Sequence, residues 1–117
     1  MTRRTQRVGD LLQAELSQLL LHSLQDPRVR MTSVSAVDVS PDLRRAEIRV
    51  SVLDDSKREE SLAALRHAAG FLRHQLARRL RHMRVIPELI FTVDLGAEHS
   101  QRISDLLERL HDHDKSA

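Results

Sequence analysis

With 117 residues, of which 40% are hydrophobic and 31% charged, the chain has the apolar content for a single core and a single domain. It has no cysteine, which excludes a disulfide framework, thiolate catalysis and the cysteine-based zinc folds. The formal net charge is only +2, so any basic surface has to come from how charge is distributed rather than from its total.

That distribution is uneven. Of the 19 basic residues only Lys57 and Lys115 are lysine, leaving 17 arginines against 17 acids. From Ser61 to Pro87 there is no Asp or Glu, while Arg66, Arg73, Arg78, Arg79, Arg81 and Arg84 all fall in that stretch. Guanidinium groups match phosphate as planar, forked donors. Phe71 and Phe91 are the only aromatics, so nucleic-acid binding has to be led by charge, backbone and shape rather than by ring stacking. No apolar run is long enough to span a membrane, and MTRRTQRVGD lacks the apolar stretch of a secretory signal. A soluble, cytoplasmic chain is expected.

In chain order, Arg3, Arg4 and Arg7 form a basic arm. Val8, Leu12, Leu16, Leu19 and Leu20 recur at helical spacing, predicting a helix over about residues 5–24 that ends at Asp26-Pro27. Asp26-Pro27-Arg28 is expected to be a structural turn capping that helix. Met31 to Val39 reads as a strand whose alternation slips between Val34/Ala36 and Val37/Val39, which implies a bulge or burial on both sides. Ser40-Pro41-Asp42 is a turn. Ala46, Ile48, Val50 and Val52 alternate with Glu47, Arg49 and Ser51, giving the second strand of an antiparallel hairpin.

Ser56 and Glu59 have capping-box spacing, so a helix is predicted to start there. Leu62, Leu65, Ala69, Leu72, Leu76 and Leu80 continue its apolar stripe, with Arg66, Arg73, Arg81 and Arg84 on an adjacent one. A straight helix would leave Phe71 on the solvent side, so a kink joining two helical pieces is expected at Ala68-Ala69-Gly70. Such a kink would free backbone N–H groups for a phosphate near Gly70. Pro87 opens a strand carrying Leu89, Phe91 and Val93, with Asp94 expected to pin the chain after it. Gly96 closes the strand, and Ile103, Leu106, Leu107 and Leu110 predict a last helix over about 98–111. The tail, residues 112–117, is expected to be disordered. The fold class is α+β: helix, strand, strand, helix-kink-helix, strand, helix. A three-stranded sheet with the second and third strands parallel carries helices on one face.

Several short motifs occur in sequence: Asp26-Pro27-Arg28, Val37-Asp38-Val39-Ser40-Pro41-Asp42-Leu43, Ala68-Ala69-Gly70-Phe71-Leu72-Arg73, Pro87-Glu88-Leu89 with Phe91 and Asp94, and Arg102-Ile103. In this order the chain resembles bacterial ribosome-binding factor A. The resemblance implies a single type II KH-like domain over residues 1–111, with Ala68-x-Gly70 in place of the usual G-x-x-G clamp. It also implies binding to the immature 30S subunit, support of late 16S rRNA maturation, and a role in growth in the cold. The RNA-binding residues expected are Ala68 and Gly70 at the kink, Arg66, Arg73, Arg78, Arg79, Arg81 and Arg84 around it, the arm Arg3, Arg4 and Arg7, and Arg44 and Arg45 after the hairpin turn.

Neither a catalytic site nor a metal or cofactor is expected. His67 and His74 lie seven apart, outside the i, i+4 pairing of metal-binding helices. The partners expected are the small ribosomal subunit and its rRNA, with the protein a monomer. A reading of another class remains open, in which the arginine-rich helix face docks on an acidic protein such as an assembly GTPase.

Overall fold

The computed structural model describes residues 2–94. The expected helix over 98–111, Gly96 and the 112–117 tail lie outside the described residues.

The first helix, α1 (Arg3–His22), is capped by Thr2, whose side chain accepts from the Thr5 N–H. Thr5 in return donates its hydroxyl to the Thr2 carbonyl at 2.9 Å. Leu12, Leu16 and Leu19 are fully buried along one stripe, as the 3.6-residue period requires. Asp26-Pro27-Arg28 does not cap this helix. It starts a one-turn helix, α2 (Pro27–Arg30), with Asp26 at the N-cap and Pro27 in the first turn. Proline suits that position because its missing N–H would have no helical partner there.

Strand β1 (Thr32–Val39) pairs antiparallel with β2 (Arg45–Val52), and β2 pairs parallel with β3 (Glu88–Val93). The sheet order is β1-β2-β3. The slipped alternation of β1 is a bulge: the register shifts between Val34 and Ala36. Val34 lies opposite Val50, and after the extra residue Ser35 the pairs are Val37 with Ile48 and Val39 with Ala46. One inserted residue thus keeps all three valines on the same face. The Ser35 hydroxyl donates to Asp94 Oδ2 at 2.7 Å, while the Asp94 N–H donates to the Val50 carbonyl. The bulge and the end of β3 are therefore clipped together across β2.

In β2, Ala46, Ile48 and Val50 are fully buried while Glu47 and Ser51 are exposed. The covered face of the sheet packs against α1 and against α3 (Arg58–Arg79). The other face is polar, with Arg49 paired to Asp38 at 2.7 Å.

Two expectations for α3 are overturned. The capping box does not form. Asp54 accepts from the Ser56 N–H and hydroxyl, a 3-10 turn follows over Asp55–Lys57, and α3 then begins with no side-chain cap. Nor does the helix break at Gly70. It runs unbroken from Arg58 to Arg79, and Phe71 stays 46% exposed on the outer side instead of turning into the core. The reason is that one glycine costs a helix only about 1 kcal/mol, less than burial of Ser61, Ala64, Leu65, Leu72 and Leu76 along one side supplies. The buried Ser61 hydroxyl also ties α3 to α2 by donating to the Arg28 carbonyl at 2.8 Å.

The two described glycines give a matched test. A methyl group at Gly70 would meet nothing within 4 Å, whereas one at Gly9 would sit 3.0 Å from the Val37 carbonyl oxygen of β1. Gly70→Ala is expected to stabilise the fold by about 0.5–1 kcal/mol through helix propensity. Gly9→Ala is expected to destabilise it by about 1 kcal/mol or more, because α1 has to move off the sheet. Urea denaturation midpoints of the two variants check this.

Three turn carboxylates contribute to the acid sensitivity of the fold. Asp26, Asp42 and Asp54 are all held below the ordinary carboxylate value of 3.8, chiefly by side-chain hydrogen bonds from Arg28, Ser40 and Ser56 respectively. Because their folded pKa values are depressed, their contribution is fully present above the unfolded value and is lost as pH falls through the folded ones. Stability against urea is expected to decline below about pH 4, and to decline less steeply when all three are changed to Asn.

Candidate RNA interface

The six arginines of the acid-free stretch do not share one face. At about 100° per residue, Arg66 and Arg73 lie within about 20° of each other on the flank of α3. Both reach the chain around β3. The Arg66 guanidinium donates to the Phe91 carbonyl at 3.3 Å, and Arg73 donates through Nε and Nη2 to the Ile86 carbonyl at 3.0 and 2.8 Å. These two side chains therefore hold the helix to the strand as well as facing solvent.

Arg79 falls on the inward side of the last turn, where Glu15 of α1 meets it at 3.2 Å. Arg78 is exposed on the outer side, near Phe71. The helix ends before Arg81 and Arg84, so these do not extend a helical stripe. Leu80 leaves the helical conformation with ψ near 57°, and the chain turns so that the Met83 N–H donates to the Leu80 carbonyl. Among the described residues no side-chain hydrogen bond or ion pair engages Arg78, Arg81 or Arg84.

Ala68 is half-buried against the core and Gly70 is exposed. Since α3 is continuous, the N–H groups around Gly70 are taken up within the helix, and the free phosphate-binding donors expected from a kink are not formed there. Arg45 begins β2 opposite Glu88 and points to the polar face of the sheet.

The convergence lies elsewhere. Arg3, Arg4 and Arg7 from the first turns of α1, Arg44 from the hairpin turn, and His82 and Arg84 from the loop after α3 line one cavity of about 940 Å³. One acid lines it, Asp42. Its Oδ1 already accepts from the Ser40 hydroxyl at 2.6 Å and from the Arg44 N–H at 3.1 Å. Five arginines from three separate segments thus line a common open groove, and a groove lined by one sign of charge concentrates a positive field.

Sequence reasoning named the five arginines without placing them together, and it missed the apolar lining: Val8, Leu11, Leu43, Met83 and Val85. A signal was present in the His82-Met83-Arg84-Val85 alternation beyond the helix end. The left-handed backbone of Leu43, with φ 61°, had none.

A model of the family described as "Ribosome-binding factor A" matches residues 4–107. The chain belongs to the ribosome-binding factor A family. Ribosome-binding factor A of Nitrosococcus oceani is 47% identical over 107 residues, covering 91% of this chain and 84% of that protein. The crystal structure of ribosome-binding factor A from Thermus thermophilus superposes with a TM-score of 0.68 at 31% identity, covering 76% of this chain and 94% of that one. A Thermus thermophilus ribosome-binding factor A model fitted into the cryo-EM map of a 30S–RbfA complex superposes with a TM-score of 0.56 at 35% identity, over 70% of this chain and 90% of that one. The α+β architecture is the KH-like fold of this family.

The arginines of α3 divide into structural and free groups, and stability measurements separate them. Arg73→Ala is expected to cost about 1–2 kcal/mol, because two charge-assisted hydrogen bonds to the Ile86 carbonyl are lost. Arg81→Ala, at an exposed turn, is expected to change stability by less than about 0.5 kcal/mol. Chemical denaturation of the two variants in parallel checks the assignment.

Proposed function

We propose that this chain is a ribosome assembly factor that binds the free or immature 30S subunit and supports late maturation of 16S rRNA in the cytoplasm, acting as a monomer and without covalent chemistry. The observation that carries this reading is the groove, where Arg3, Arg4, Arg7, Arg44 and Arg84 converge and the one lining acid is already engaged in its own turn. Family membership and the relative fitted into a 30S–RbfA complex support the choice of the small subunit as the RNA-bearing partner.

Phosphate contacts of this kind position a protein on folded RNA and carry little base information. Differential affinity for an immature conformation over the mature one is then sufficient to bias assembly, and release follows when that conformation is gone. A contribution to growth in the cold fits a factor that acts on slowly rearranging RNA.

Binding to purified small subunits is expected to weaken steeply with salt. Arg44→Ala and Arg84→Ala are each expected to flatten the slope of log affinity against log salt by about one unit. Co-sedimentation across a salt series measures this, and unchanged slopes in both variants would remove the groove from the interface. Retention of the ribosomal signal after nuclease digestion of the complex would instead point to an acidic protein partner such as an assembly GTPase.

A further inference from the structure

We propose that the groove between α1, the Ser40–Arg44 turn and the loop after α3 receives an unpaired nucleotide of RNA, with its base on an apolar floor and its flanking phosphates on the arginine rim. This deepens the small-subunit reading and rests on it for the identity of the nucleic acid. The floor is continuous with the core: Val8, Leu43 and Met83 are partly buried and packed against it. Leu11 and Val85 extend it to the rim, at 39% and 65% exposure.

A surface that only held the phosphates of a duplex would gain nothing from presenting five aliphatic side chains to a polyanion. A splayed nucleotide has both chemistries, apolar base faces and an anionic linkage on either side, and unpaired nucleotides are the usual targets of RNA recognition. The cavity of about 940 Å³ lies within the range of small-molecule sites, roughly 300–1,000 Å³. A duplex, with its bases stacked inside, could offer only its backbone to such a cavity.

Leu43 adds an independent observation. Its φ of 61° places it in the left-handed region, where a bulky side chain is disfavoured and glycine or asparagine would sit without cost. The turn nevertheless holds a leucine there, secured by the Leu43 N–H donating to the Ser40 carbonyl at 2.9 Å and by the Ser40–Asp42 hydrogen bond. At that strained position the leucine side chain packs against the core. It also lines the groove.

The test uses the full chain and three fluorescein-labelled RNA probes in anisotropy titrations at fixed salt. The probes are an eight-nucleotide single strand, the same strand with one abasic position, and the blunt duplex of the same sequence. The single strand is expected to bind about tenfold more tightly than the duplex despite its lower charge, and the abasic strand to lose part of that advantage. The neutral double variant Leu11→Ser/Val85→Ser changes two exposed positions and no charge. It should lower single-strand affinity about tenfold while leaving duplex affinity within about twofold. Circular dichroism melts confirm that the variant is folded.

Equal or tighter binding of the duplex, or an unchanged single-strand to duplex ratio in the variant, overturns the proposal. Co-sedimentation of the parent with small subunits separates the two readings. If the parent binds subunits but shows no single-strand preference, only the groove proposal fails. If it prefers the single strand but ignores subunits, the groove stands and the assembly reading fails.

Discussion

The structure depends on one constraint: β2 is the central strand and has only one apolar face. Ala46, Ile48 and Val50 are fully excluded from water on that face, while Glu47 and Arg49 carry charge on the other. Both long helices must therefore cover the same side of the sheet. Once β3 lies parallel to β2, the chain leaving β2 at one end has to return to the other before β3 can begin. That return is α3, and it delivers residues 80–87 beside the start of β2, where the hairpin turn also lies.

The groove follows from this topology. Arg44 belongs to the turn that feeds β2, and Arg84 to the loop that feeds β3. The two segments meet where the Glu88 N–H donates to the Arg44 carbonyl at 2.8 Å, and both arginines line the groove. The N-terminal arginines complete the site because α1 lies over β1 closely enough for Gly9 to face the Val37 carbonyl. A feature of packing, with no charge of its own, thus sets where a charged arm ends up. Residues from three segments are brought together with little local strain, Leu43 excepted.

The arginines of α3 show how one residue type serves two ends. Arg66 and Arg73 satisfy carbonyls of the β3 region, and Arg79 is paired with Glu15. Such side chains are partly committed to the fold, and their charge is less available to a partner than that of Arg78, Arg81 or Arg84. The basic character of the surface is accordingly carried less by the helix than by the segments around its C-terminal end. On the opposite side of the sheet, Asp38 and Glu47 flank Arg49, so its charge is offset locally.

The sequence by itself determined the elements whose signals are local and periodic. The leucine stripe of α1, the alternation in β2 and β3, the slip in β1 that became the Ser35 bulge and the parallel β2–β3 crossover all follow from spacing and from which side of an element must be dry. The family resemblance and the uneven placement of arginine were legible in the same way. Tertiary structure alone decided what became of Gly70, because a single glycine cannot break a helix whose inner side is buried along its length. It also decided which guanidinium groups are free, since a side chain's hydrogen-bond partner depends on what another segment brings within about 3 Å. The groove was out of reach for the same reason: its charges come from positions 3–7, 44 and 84, and no pattern in the chain records a distance between residues so far apart.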